Sequence, residues 1–500
     1  MALDLTRRRN VALAIVLIIY IVVFLVFSLG RYARYNAEGW DLGIFSQLTW
    51  NAAHGRPMQN TVAEENNMLA VHAPYITILL APLMWLWPDP RSLLIAQTFI
   101  LALGALPVAR LASRYFKEWW VPPFLAALWC LYPALEFVNR WDFHEIAPVI
   151  TFFAFAFEAA DRRAWRQFDF WLVLSILCKE EIGLNVAFFG LYALWRFKRN
   201  WKPCLFWFVI GIAWFVIHAF VIFPTLRHAD NGLPIHAVRY EWLLKGNLQS
   251  IWAYITGPDT ALKGLFLVKL FAPVAFVAFL APVALIPALP TFGLSFLSSF
   301  GPQFDIYMHY TSPIIPAVFV ATVYGLPRLR CWLDARQNRW LTGRGLRLAA
   351  TAMLAGTLLI WFTYNPFWLK PTFFTSYGWE PGAHLEALYE VEKIIPPDAC
   401  VVAKNNVQAH YSVRPESYVL GARGDMDGCT YMIADLGDPR HDDFRSAEAA
   451  VCSQFWANKR APIYYKDTVV VLQQMPAQAD LAAVQGLRDY CNGYVARQSK

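Results

Sequence analysis

The sequence predicts an α-helical polytopic membrane protein with a small extracytoplasmic α/β domain at its C-terminal end. Three observations lead there. Hydrophobic residues fill 57% of the 500 positions. Charged residues fill only 16%, against about 25% in ordinary soluble chains. The charge is also split: residues 1–371 hold 31 Lys and Arg against 20 Asp and Glu, whereas residues 372–500 hold 12 against 16. So little charge cannot cover several globular domains, and so much apolar side chain excludes disorder. A net charge of +7 averaged over two unlike halves excludes a basic stripe for nucleic acid.

Apolar runs of spanning length lie near residues 11–29, 91–112, 120–136, 145–159, 203–223, 265–281, 282–300, 309–327 and 347–364. Two shorter runs, 167–178 and 183–195, are joined by Lys179-Glu180-Glu181 and read as helices meeting inside the membrane. About 11 spans result. Alternate loops then hold 19 Lys and Arg, from Arg7-Arg8-Arg9 to the six Arg between Arg328 and Arg347; the opposite segments, more than twice as long, hold 12. The positive-inside rule places the N-terminus in the cytoplasm and the C-terminal domain outside a plasma (inner) membrane. The first run, 19 apolar residues after three Arg, is expected to stay as an anchor rather than be cleaved.

The predicted domains are a multi-span domain, 1–371, with outer loops at 30–90 and 224–264, and a soluble domain, 372–500. In the first loop, Trp40, Leu42, Ile44, Phe45, Leu48 and Trp50 recur at helical spacing, which suggests a helix lying on the lipid interface, aromatic face down. Residues 71–88 are read as a juxtamembrane helix ended by Pro88-Asp89-Pro90, because a span there would reverse every later loop. Beyond 372, AHLEALYEVEKII is an amphipathic helix, and CVVAKN, YMIADL and the APIYY/TVVVLQQ pair joined across Lys466-Asp467 are strands. Cys400, Cys429, Cys452 and Cys491 allow two disulfides in an exported domain, with three connectivities open.

An ionisable side chain at membrane depth costs at least about 2.5 kcal/mol, so each one is a functional candidate. Asp41 and His72 lie in the first outer loop. Arg140, Asp142, His144 and Glu145 follow the third span in NRWDFHE. Lys179, Glu180 and Glu181 form the tip of the short pair. Lys269 enters the next span, and Asp305, His309 and Tyr310 precede a later one. All fall on one side of the predicted membrane, whereas a transporter places polar groups near the midplane. Each also has a structural reading: Asp41 as a helix cap, Asp142 and Glu145 as partners of Arg140, Lys179 as neutralised by Glu180 or Glu181.

The order of these motifs resembles the multi-span glycosyltransferases of the GT-C superfamily, and most of all a bacterial and archaeal domain-of-unknown-function family placed near them. Asp41 in GWDLGIFSQLTWN resembles their first-loop acidic residue, and His72-Ala73-Pro74 the approach to the second span. Asp142 falls where a further acidic residue is common. Lys179 in SILCKEEIG resembles a lysine of the aminoarabinose-type transferases, and MHYTSPIIP their HY-x-x-P-x-x-P, carrying over to His309, Tyr310, Pro313 and Pro316. Two departures stand out: a single Asp at the first motif, and Glu180 and Glu181 in place of small residues.

The resemblance implies transfer of a sugar from a polyprenyl-phosphate carrier to an acceptor on the outer face. Asp41, or alternately Asp142, would be the catalytic base. Lys179, Arg140 and Lys269 would bind the carrier phosphate, with or without a divalent cation (Mg or Mn) on Asp41. His72, His144, Glu145, Glu180, Glu181, His309 and Tyr310 would orient acceptor or phosphate. The expected partners are membrane lipid and the lipid-linked donor. A transporter or flippase of a lipid-linked saccharide, or a non-enzymatic envelope protein, is the alternative.

Overall fold

The computed structural model describes residues 2–63, 65–228, 238–244, 259–335, 344–364, 382–421, 428–437, 444–475 and 477–498, with a few single positions between 249 and 257. Much of the middle of the 224–264 loop, including 229–237 and 245–248, and the predicted domain boundary at 371/372 lie outside the described residues.

The helical part begins with α1 (Ala2–Ala33) and α2 (Ile44–Ala53), then α3 (Ile76–Leu86), α4 (Arg91–Leu103) and α5 (Ala105–Tyr115). Next come α6 (Val121–Cys130), α7 (Pro133–Arg140) and α8 (Pro148–Asp161), each opened by proline, whose missing N–H costs nothing in a first turn. The hairpin α9 (Trp165–Ile176) and α10 (Ile182–Phe197) is followed by α11 (Trp201–Ile217), α12 (Asp259–Phe271), α13 (Leu289–Leu297), α14 (Ile315–Ala335) and α15 (Gly345–Tyr364).

The outer surface of this bundle is apolar. On α1 the exposed large hydrophobic residues are Val11, Ile15, Ile18, Ile19, Val22 and Val26, while Tyr20, Phe24 and Phe27 turn inward. An apolar stripe facing out is what lipid demands and water forbids. Among the described residues four helices are long and apolar enough to cross a membrane: Asp4–Ala33, Arg91–Tyr115, Trp201–Leu226 and Gly345–Tyr364. The α6–α7 pair qualifies as a fifth, bent by 46°.

Two sequence expectations need correction. The runs 265–281 and 282–300 are not continuous helices. After α12 the chain makes 3₁₀ turns at Ala272–Val274, Val277–Leu280 and Pro282–Ala288 before α13. Pro273, Pro282 and Pro287 each remove a backbone donor from this stretch, so an α-helix cannot run through it. Ala275 and Phe276 adopt left-handed φ of 49° and 58° at the break. The second concerns α2, which does not lie on lipid: Ile44 through Thr49 and Asn51 are all buried, pressed between the bundle and the C-terminal domain. Helical periodicity reveals an apolar face but not what covers it.

The C-terminal domain opens with α16 (Ala383–Ile394) and builds a five-stranded mixed sheet. Its strands are β1 (Val401–Ala403), β2 (Ser417–Val419), β3 (Tyr431–Asp435), β4 (Arg460–Lys466) and β5 (Val469–Gln474), in the order β2-β1-β3-β5-β4. β1 is parallel to β2 and β3; β5 is antiparallel to β3 and β4. Helices α17 (Phe444–Trp456) and α18 (Leu481–Gln498) complete it. Of the three open connectivities, the disulfides are Cys400–Cys429 and Cys452–Cys491.

A seam of specific contacts docks this domain on the bundle. His410 stacks between Tyr32 and Tyr35, with ring centroids at 4.0 and 3.7 Å, and its Nδ1 lies 2.8 Å from Glu392. The Thr61 hydroxyl donates to the Ser417 carbonyl at 2.8 Å. At Gly39 any Cβ would stand 2.9 Å from the Gln408 Cβ and 3.0 Å from Val419. Gly39→Val is therefore expected to loosen the seam, lowering stability by about 1–3 kcal/mol. Faster hydrogen exchange at residues 405–408 checks it; unchanged exchange contradicts it.

His384 fastens α16 to the sheet, its Nε2 3.1 Å from buried Asp435 and its Nδ1 donating to the Asp467 carbonyl at 2.9 Å. The Asp435 hydrogen bond, followed by the Asp435 and Asp467 charges, overrides burial and pushes the His384 pKa up to about 9. The folded state thus holds this proton more tightly than the unfolded chain, at about 6.5. Its stabilisation is complete below that value and is lost as pH rises through about 9. The thermal midpoint of the full-length protein should fall over this window in the wild type and fall less in His384→Gln.

Candidate active site

Breaks between helices, rather than helix faces, present the polar groups. Asp41 sits in the wide turn Gly39–Gly43 ahead of α2. His144 and Glu145 lie in the link between α7 and α8, and Lys179, Glu180 and Glu181 in the turn between α9 and α10. His72 precedes α3, and His309 and Tyr310 occupy a single 3₁₀ turn ahead of α14. Irregular backbone within an apolar bundle is tolerated where it lines a polar cavity. Here it lines one of about 520 Å³, walled by Asp41, His72, His144, Glu145, Lys179, Glu181, His309 and Tyr310.

The wall is a connected set of bonds. The Trp141 indole N–H donates to Asp41 Oδ2 at 2.7 Å, and His144 Nε2 lies 3.1 Å from Asp41 Oδ1. His144 Nδ1 faces the Asp142 carbonyl oxygen at 3.1 Å. Both ring nitrogens thus face acceptors, and only imidazolium donates from both. Burial alone would lower the His144 pKa; the Asp41 charge and hydrogen bond outweigh it and raise it. Burial would likewise raise the Asp41 carboxyl, but the His144 charge and the hydrogen bonds from His144 and Trp141 hold it below the usual carboxylate range. Next to them, burial and the charges of Asp41 and Asp142 push Glu38 up to about 7.

His309 stacks on His144 with ring centroids 3.8 Å apart. Lys179 Nζ stands 3.3 Å from Glu145 Oε1, with both side chains almost fully buried. Glu145 Oε2 and His309 Nδ1 are buried without a hydrogen-bond partner among the described residues. Buried polar atoms are nearly always paired, so two orphans on one cavity wall mark a place built to meet another molecule.

The remaining predicted residues fall outside the cavity wall. Glu180 stands behind His72, its Oε1 3.0 Å from His72 Nδ1, and its Oε2 accepts from the Ala73 N–H at 3.1 Å. Asp142 accepts from Arg31 at 3.3 Å and from the Glu38 N–H at 2.8 Å, supporting the Asp41 turn from behind. The Arg140 carbonyl accepts from Arg31 at 2.7 Å, and its guanidinium lies 5.7 Å from the Phe137 ring centre. Lys269 is bound to Asp305 at 2.8 Å, 36 residues along the chain. In the place of Arg140 and Lys269, the cavity takes its further cations from Arg227 and Arg239, neither of which is among the sequence-predicted residues. Arg239 lies 4.3 Å from the Phe300 ring centre, and its Nη2 donates to the Tyr310 hydroxyl at 3.3 Å. Its only signal was an Arg beside aromatics, VRYEW, inside a long mixed loop.

Among the described residues no three His, Cys, Asp or Glu side chains are grouped to hold a metal. Asp41, the expected ligand, already accepts from Trp141 and His144. Mg or Mn prefers a shell of about six oxygens, so this donor set does not fit one.

The sequence model of the predicted membrane proteins DUF2079 matches residues 31–436. The chain belongs to the DUF2079 family. Among curated proteins, none matches the sequence. The DUF2079 chain shares its fold with ArnT from Cupriavidus metallidurans bound to undecaprenyl phosphate, at a TM-score of 0.55 and 14% identity over 93% of this chain and 98% of that one. The apo state of the same ArnT gives 0.48 and 13% over 92% and 99%. This DUF2079 protein is thus a polytopic helical membrane protein of GT-C-like fold, as the resemblance implies. Its cavity lies at the end of the bundle that carries the C-terminal domain, walled in part by the Asp41 turn on which that domain rests.

Proposed function

We propose that the protein transfers a sugar from a polyprenyl-phosphate carrier to an acceptor hydroxyl, in the cavity at the C-terminal-domain end of the bundle, on the outer face of the plasma membrane. One observation carries the reading: Lys179 and Arg239 share a cavity of about 520 Å³ with the Asp41–His144 pair. Cations suited to a phosphate and a carboxylate suited to a hydroxyl proton thus face the same space. The fold shared with an ArnT bound to undecaprenyl phosphate supports the choice of carrier.

In the proposed reaction the acceptor oxygen attacks the anomeric carbon as the bond from that carbon to the phosphate oxygen breaks. The acceptor proton passes to Asp41. The electron pair of the broken bond leaves on the phosphate, where Lys179 and Arg239 stabilise the charge. His144 holds Asp41 in place, and His309 and Tyr310 flank the reacting groups. A carboxylate held at low pKa is a weak base, but an acceptor hydroxyl becomes acidic as its new bond forms, so proton transfer is late and a weak base serves. No step passes through a divalent cation.

The test is a transfer assay with the full-length protein in proteoliposomes, offered a panel of polyprenyl-phosphate sugars. The reading expects release of polyprenyl phosphate that depends on an added acceptor. Tight donor binding with movement across the bilayer and no bond cleavage would establish a flippase instead.

A further inference from the structure

The opposite end of the bundle carries a second polar cavity, of about 530 Å³, surrounded by Arg9, Arg110, Arg114 and Arg162. Two of these guanidinium groups are neutralised: Arg114 donates to Asp161 at 2.7 Å, and Arg162 pairs with Glu158 at 2.6 Å. Among the described residues the other two form no ion pair, Glu158 on the same wall being taken by Arg162. Arg9 reaches only Asn10 Oδ1 at 3.4 Å and Ser113 Oγ at 3.3 Å, and Arg110 lies 6.0 Å from the Phe155 ring centre. Two uncompensated cations around one cavity match the charge and fork geometry of a phosphate group.

A second cavity, of about 280 Å³, shares Arg9, Arg110 and Ser113 with the first and is otherwise lined mainly by Leu13, Leu106, Ala109, Pro122 and Pro123. The polar chamber therefore opens into an apolar groove between α1, α5 and α6. Depth agrees. Arg9 and Arg31 stand at opposite ends of α1, about 33 Å apart at 1.5 Å per residue, close to the thickness of the hydrocarbon core. Arg31 contacts the support of Asp41, so Arg9 lies at the other membrane interface. Tyr115 and Trp119 are exposed beside it, as residues of an interfacial belt are.

We propose that this pair of cavities is a binding site for an anionic phospholipid of the leaflet opposite the active site, with the phosphate held by Arg9 and Arg110 and an acyl chain lying along Leu13 and Leu106. It is independent of the transfer reaction and carries no chemistry. The bound lipid would tie the first span to α5 and α6 and select the membrane composition in which the bundle is most stable.

The experiment is native mass spectrometry of the full-length protein released from nanodiscs of equal phosphatidylglycerol and phosphatidylcholine. The proposal expects phosphatidylglycerol to be retained over phosphatidylcholine by about tenfold or more, the scale of one lost charge-assisted hydrogen bond. R9Q/R110Q should abolish the preference with the thermal midpoint in phosphatidylcholine alone unchanged, which separates lost binding from lost folding. L13W, which fills the groove and keeps both arginines, should also abolish it. Equal retention of the two lipids in the wild type, or a preference that survives R9Q/R110Q, overturns the proposal. Wild-type retention in L13W, or thermal protection by inorganic phosphate equal to that by phosphatidylglycerol, overturns the lipid in favour of a soluble phosphate.

Discussion

Asp41→Asn is expected to lower the rate of sugar transfer by about 10²–10⁴-fold, the usual contribution of a positioned general base, with donor affinity changed far less. Asparagine keeps the side-chain length and one oxygen for the Trp141 indole, which donates at 2.7 Å. It loses the charge opposite His144 and the capacity to take a proton. Since Asp41 is held below the usual carboxylate range, the acid limb of the wild-type activity profile should also lie below that range. His144→Gln removes the cation that holds the carboxyl down, so its acid limb should move to higher pH. Transfer at the wild-type rate by Asp41→Asn, in protein that inserts normally, would remove Asp41 from the mechanism. An acid limb that stays in place in His144→Gln would break the proposed link between the pair and the chemistry.

Lys179→Met should be costly twice over. Lys179 and Glu145 form a pair with side chains 5% and 1% exposed, so removing the cation leaves a buried carboxylate uncompensated. Breaking such a pair from one side costs about 3–5 kcal/mol. Losing a cation from the phosphate cradle should also reduce kcat by about 10²–10³-fold. A second substitution separates the two effects. In Lys179→Met/Glu145→Gln the carboxylate 3.3 Å from that cation is neutralised with it, so the thermal midpoint should recover most of its loss while transfer stays low. Recovery of both together would make Lys179 a structural residue only.

The sequence made the site's membership legible because charge is expensive in a bilayer. Asp41, His144, Lys179 and His309 stand in short polar breaks beside long apolar runs, and the cavity brings these four together. It did not make the pairings legible. The structural alternative for Lys179 pairs it with Glu180 or Glu181, next to it in the chain, yet its partner is Glu145, 34 positions earlier on another link. Lys269 was expected at the phosphate and instead meets Asp305, because a charge in a helix declares its cost but not its counter-ion. Arg239 was passed over because outside the predicted spans an arginine costs nothing and so draws no notice.

The same holds for the fold. Strands β1, β3, β4 and β5 follow from their β-branched runs and the turn at Lys466-Asp467, whereas β2, only Ser417–Val419, lies below the length at which alternation is readable. The prolines at 273, 282 and 287 carry the information that the run near 265–300 is broken, but its high hydropathy masks them. The docking of the soluble domain had no signal of its own. Asn405 accepts from the Trp40 N–H at 3.0 Å beside Asp41, and in sequence it is one polar residue after a strand.

An electron cryomicroscopy structure of the full-length protein with undecaprenyl phosphate shows whether the cavity around Lys179 receives the phosphate of a lipid carrier. Phosphate density is expected within hydrogen-bond distance of Lys179 and Arg239, beside Asp41, with the lipid chain running out between helices into the membrane. Phosphate density away from both cations, or a carrier that leaves this cavity empty at saturating concentration, would contradict the proposal.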